Sequence, residues 1–85
     1  MKEFRPYDAK DNDINQMIKD VVLGYCKRHN EEIEELEIYE EGIIAKTTSG
    51  REIIGNITYG MVKKDYIYLK EEIAGKQKRI KKSEW

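Results

Sequence analysis

The chain has 85 residues, of which 39% are hydrophobic and 39% charged, with a formal net charge of −1. One domain fits in that length and a second core does not, and folding buries roughly 60–65% of the unfolded chain's surface. The core is therefore thin, or completed by a partner. Cys26 is the only cysteine, which excludes an internal disulfide and a thiolate metal cage.

The opening Met1-Lys2-Glu3-Phe4-Arg5-Pro6 carries no apolar stretch of the signal-peptide kind, and residues 1–10 read as an arm. The longest apolar run, Val21 to Cys26, is interrupted by Gly24 and too short for a bilayer. These features lead to the expectation of a cytoplasmic location with no membrane partner. The near-zero net charge conceals a split: residues 1–45 hold 12 acids against 6 Lys/Arg, and residues 46–85 hold 5 against 10. The split marks either a partner surface or two halves that attract each other within the fold.

A helix is predicted over about residues 11–29. Ile14, Met17, Ile18, Val21, Val22, Tyr25 and Cys26 follow the i, i+3, i+4, i+7 rhythm of one apolar stripe. Asp13 and Gln16 have capping-box spacing, with Asp8 or Asp11 as other candidates. Lys27, Arg28 and His29 suit the negative end of the helix dipole, and Asn30 suits a left-handed closing position.

Residues 31–36 are compatible with helix or strand, and a break near 30–34 leads into a first strand at about 35–40, closed by Gly42. Ile43–Thr48, Arg51–Tyr59 and Asp65–Lys70 read as antiparallel strands, with Ser49-Gly50 as a two-residue hairpin and Gly60–Lys64 as a turn. Ile53, Ile57 and Tyr59 fall on one face of the second of these, and Ile54, Asn56 and Thr58 on the other. Gly55 within it signals a bulge, a bend or a close backbone approach. A last strand or short helix follows the Ala74-Gly75 break, over 77–83. The expected fold is α+β: an N-terminal amphipathic helix packed on a small curved antiparallel meander of three to five strands, open or closed as a small barrel.

Gly50-Arg51-Glu52-Ile53-Ile54-Gly55 followed by Asp65-Tyr66-Ile67-Tyr68-Leu69 resembles the strand-turn-strand rhythm of Sm-like and other SH3-like small barrels. In Sm-like proteins a helix precedes five bent strands, so the resemblance implies a helix-capped barrel over roughly residues 12–83. Gly60 stands where such a chain carries Asp, and Lys78-Arg79-Ile80 replaces the second Arg-Gly motif. The resemblance therefore brings over no RNA-contacting residue.

Catalytic and metal chemistry find little support in the sequence. Cys26 and His29 are one helical turn apart, but no other Cys or His completes a metal site. Cys26 also lies on the apolar stripe, where burial disfavours a thiolate. No phosphate-binding glycine loop occurs. The reading is a non-catalytic domain without cofactor or metal.

Two surfaces qualify for binding. Lys64, Tyr66, Tyr68 and Lys70 share one strand face, and Lys78, Arg79, Lys81 and Lys82 form a basic run near the end. Cations for phosphates and rings for base stacking are what single-stranded nucleic acid requires. The second surface is acidic: Glu34, Glu35, Glu37, Glu40 and Glu41, which with exposed tyrosines would suit a protein partner. The first implies a regulatory nucleic-acid-binding module, and the second a small inhibitor or adaptor. In size, charge density and thin core the chain resembles short proteins of phages and mobile elements, anti-CRISPR proteins among them. Free sheet edges would also accommodate a homodimer.

Overall fold

A computed structural model describes residues 1–58 and 66–85, with Tyr66 represented by its backbone. The element order is β1 (Lys2–Phe4), a 3-10 turn at Pro6–Asp8, α1 (Asp13–Arg28), β2 (Ile33–Ile38), β3 (Gly42–Thr47), β4 (Glu52–Thr58), β5 (Tyr66–Ile73), β6 (Lys76–Ile80) and a 3-10 turn at Lys82–Glu84. The strands form one sheet in the order β1-β2-β3-β4-β5-β6, antiparallel throughout except for β1, which runs parallel to β2. The α+β expectation holds. The sheet is not closed, however, so the barrel option and the Sm-like layout give way to an open, six-stranded mixed sheet.

β1 replaces the expected arm. It aligns Lys2, Glu3 and Phe4 with Glu35, Leu36 and Glu37, and α1 supplies the long crossover that a parallel pair needs. Three exposed residues carry too little periodicity to announce a strand.

The helix begins two residues later than expected, and its cap is Asn12 rather than Asp13. Asn15 N donates to Asn12 Oδ1 at 2.8 Å and Asn12 N to Asn15 Oδ1 at 2.9 Å, a reciprocal capping box built from two asparagines. Asn15 takes this role because it is buried and its amide also donates to the Lys10 and Tyr39 carbonyls, at 2.8 and 3.3 Å. At the other end Asn30 takes the left-handed conformation, φ 55°.

Ile18, Val22, Tyr25 and Cys26 face the sheet and pack with Leu36, Ile38, Ile43, Ala45, Ile53 and Leu69, among others. Ile14 and Val21 border this core. Met17, expected in the stripe, is exposed: the helix meets mainly β3 and β4, a line of contact narrower than the stripe.

Gly55 in β4 explains that close contact. A β-carbon there would lie 2.6 Å from Val22 Cγ2 and 2.7 Å from Ile18 Cγ2. The register runs through Gly55 unbroken on both sides, so of the three expectations the close approach is the one realised. The single described irregularity falls at Glu34, where the pairing steps from Ile33–Thr47 to Glu35–Lys46. That bulge settles 33–38 as strand and sets Leu36 and Ile38 inward.

Two hairpins differ in length from expectation. Thr47 N donates to the Arg51 carbonyl at 2.9 Å, leaving the three-residue loop Thr48-Ser49-Gly50 with Gly50 at φ 86° rather than a two-residue turn. Ala74 and Gly75 both have positive φ and form the tight turn between β5 and β6 that the right-handed twist favours. β5 consequently reaches Ile73, beyond the anticipated Lys70. The expected turn Gly60–Lys64, along with Tyr59 and Asp65, lies outside the described residues.

Candidate nucleic-acid interface

One helix covers one side of the sheet, and among the described residues no element covers the other. The register sets a row across that open side: Glu37, Ile44, Ile54, Lys70 and Arg79, contributed in turn by β2 to β6. The row passes from acidic through apolar to basic. Beside it, Asn56 pairs with Tyr68 and Thr58 with Tyr66.

The basic end gathers the residues anticipated for nucleic acid. Arg79 lies over the Tyr68 ring, 5.4 Å from its centroid, close enough for cation–π attraction. Lys70 is Arg79's ladder neighbour and donates to Gln77 Oε1 at 3.4 Å. Tyr68, Lys70, Arg79 and Thr58 border a shallow depression of about 400 Å³. Next to it, Tyr68, Arg79, Lys81, Lys82 and Trp85 border a second of about 430 Å³.

Not every anticipated cation joins this group. Lys78 borders the first depression, yet its ladder partner is Glu71 and it shares the strand parity of Ile80, which is buried in the core. Alternation along β6 thus separates Lys78 from Arg79. Lys64 lies outside the described residues, and Tyr66 contributes its backbone pairing alone.

The acidic residues separate as well. Glu35 and Glu37 stand on the open side, where Lys46 Nζ reaches both, at 3.3 and 2.7 Å. Tyr39 Oη donates to the other Glu37 oxygen at 2.7 Å. The Lys46 ammonium first, then the Tyr39 hydroxyl, hold the Glu37 carboxyl below its ordinary range. Glu34 sits at the bulge, and Glu40 and Glu41 on the β2–β3 turn, all exposed. Glu31 accepts from Ser49 at 2.8 Å and pairs with Arg51 at 3.6 Å. The Lys46 and Arg51 pairs join the acidic first half to the basic second half, so part of the charge split is consumed inside the fold.

Cys26 and His29 are each engaged elsewhere. Burial, with the Glu31 charge second, pushes the Cys26 thiol up to about 11. His29 stacks on Tyr25 with centroids 4.2 Å apart, and its Nε2 donates to the Glu84 carbonyl at 2.6 Å. Among the described residues no cluster of three or more His, Cys, Asp or Glu could hold a metal ion, and no helix is long and apolar enough to cross a membrane.

Trp85 is the component that the linear reading left unplaced. Its ring packs against the core, its Nε1 donates to the Ile80 carbonyl at 3.4 Å, and Arg28 Nε donates to its main-chain oxygen. These partners lie 5 and 57 residues away in sequence, and the distant one left no signal in the local pattern. Comparison of the chain with protein-family models, curated proteins and solved structures finds no match.

Proposed function

We propose that this domain is a non-catalytic binding module that takes single-stranded nucleic acid on the basic end of its open sheet face. The observation that carries this reading is the convergence of Tyr68, Lys70 and Arg79 from two neighbouring strands, with the guanidinium 5.4 Å from the ring. A ring offers a stacking platform to any base, and two adjacent cations can hold the backbone that follows it. Duplex is disfavoured, because its bases are already stacked and unavailable to a tyrosine on a flat sheet.

The test is titration of labelled single strands and duplexes at two salt concentrations. Single strands should bind more tightly, and affinity should fall steeply with salt. Lys70→Ala or Arg79→Ala should flatten the salt slope by roughly 0.7 for each phosphate no longer neutralised. Absence of binding at low salt would remove the proposal.

A second reading rests on the other end of the same face. Ile44 and Ile54 are half-buried there, beside the carboxylates of β2. An apolar centre with a charged rim fits a protein surface, and a small inhibitor or adaptor would use it with Glu34, Glu40 and Glu41. Failure to bind any nucleic acid, combined with release of a captured partner on Ile54→Glu, would favour it.

A further inference from the structure

Two aromatic rings border the 430 Å³ cleft at the end of β5 and β6, and each already carries a cation. Arg79 lies 5.4 Å from the Tyr68 centroid, and Lys82 lies 5.6 Å from the Trp85 ring. Lys81 adds a third positive charge to the border. The floor is apolar, formed with Ile67 and Ile80. Two rings on the border of one cleft, an apolar floor and a rim of cations match the parts of one nucleotide unit: a flat base and the anionic phosphates on either side of it.

Resting on the reading above, we infer that this cleft is a base-binding subsite, with Trp85 as its second stacking residue and Arg79 and Lys81 as its phosphate-binding residues. Entry of a base into the cleft, against the Trp85 ring, displaces Lys82 from that ring, and the phosphate beside the base draws Arg79 from Tyr68. Arg79 exchanges the weak attraction of a ring quadrupole for a charge-assisted bond to phosphate, and Lys81 joins it there. The Trp85 ring gains a base as partner in the same step. No covalent change is involved.

The subsite is held open from the helix. Arg28 and His29, at the C-terminal end of α1, bind the main-chain oxygens of Trp85 and Glu84, which fixes the last turn against the body. Such preorganisation lowers the ordering cost that a mobile tryptophan would add to binding. The path of the strand follows: one base in the cleft, and the next over the Tyr68–Lys70 depression on the neighbouring part of the sheet.

Trp85 is the only tryptophan, so its fluorescence reports on the cleft directly. The experiment titrates the full chain with short oligo-dT and oligo-U, reading labelled-oligonucleotide anisotropy and tryptophan emission together, with an abasic oligonucleotide of equal length as control. The expected result is binding by anisotropy with quenching of Trp85, and neither quenching nor comparable affinity with the abasic strand. Trp85→Leu keeps apolar packing without a π-face and should bind about 5- to 150-fold more weakly, the range for removing one stacked ring. Trp85→Phe should retain most of the affinity.

Binding by anisotropy with unchanged emission, and Trp85→Leu equal to wild type, would overturn the inference while leaving the sheet-face reading intact. Equal quenching by the abasic strand would overturn it too. No anisotropy change at low salt with any strand would remove both. A thermal melt of each variant shows whether a weakening comes from unfolding, and quenching of wild-type Trp85 by base-bearing but not abasic strands decides the question if Trp85→Leu fails to fold.

Discussion

Gly55 lies directly beneath Val22, so close that a β-carbon on the glycine would stand 2.6 Å from Val22 Cγ2. The distance between helix and sheet is set here, and through it the position of the whole covered face. Gly55→Ala should destabilise the fold by about 1–3 kcal/mol, the usual cost of forcing extra volume into a packed core. In a domain of this size that lowers the melting temperature by roughly 4–8 °C per kcal/mol. Gly55→Val should cost more. A melt showing Gly55→Ala unchanged or stabilised would mean that the two layers separate freely at this point.

The asparagine pair at the start of α1 offers a graded comparison. Asn12→Ala removes one cap and should cost about 1 kcal/mol. Asn15→Ala should cost more, roughly 1–3 kcal/mol, because it strands the Lys10 and Tyr39 carbonyls as well as the Asn12 amide. Urea unfolding of the two variants gives the order, and the reverse order would count against Asn15 as the tie between helix and β2–β3 turn.

Acid sensitivity should trace to Glu37. Its carboxyl is depressed by the Lys46 and Tyr39 hydrogen bonds, so the stability it contributes is present above the ordinary glutamate value of about 4.3 and is lost as pH falls through the lower folded value. Lys46 is raised above its ordinary value, chiefly by the hydrogen bond to Glu37. Its contribution is present below about 10.4 and is lost as pH rises through the folded value. Glu37→Gln should flatten both limbs of a stability-against-pH curve measured by denaturant unfolding. Unchanged limbs would show that the pair acts no differently from solvent-separated charges.

Cys26 should behave as an inert core group. It is 1% exposed and its thiol is pushed up to about 11 from 9.0, so the native protein should react with a thiol reagent only through unfolding. Because the folded value is the higher one, the associated stability is present below 9.0 and declines as pH rises toward 11. Labelling followed against urea concentration checks this. Rapid labelling of the native state would place the thiol at the surface.

Local pattern and composition determined a good deal by themselves. The apolar spacing from Ile14 to Cys26 marked the helix, and alternation from Ile43 to Lys70 marked the strands, because each secondary structure imposes its own period on whichever side is buried. The same alternation put Tyr68 and Lys70 on one strand face. What the chain could not reveal in one dimension was anything whose partner is remote. β1 exists because β2 offers it an edge, and Trp85 is placed by Arg28 and Ile80. Lys78 parts from Arg79 because β6 alternates beside β5, which a run of basic letters does not display. The closeness of helix and sheet likewise belongs to two elements at once: a glycine in β4 says that space is short, and only packing tells that Val22 and Ile18 fill it.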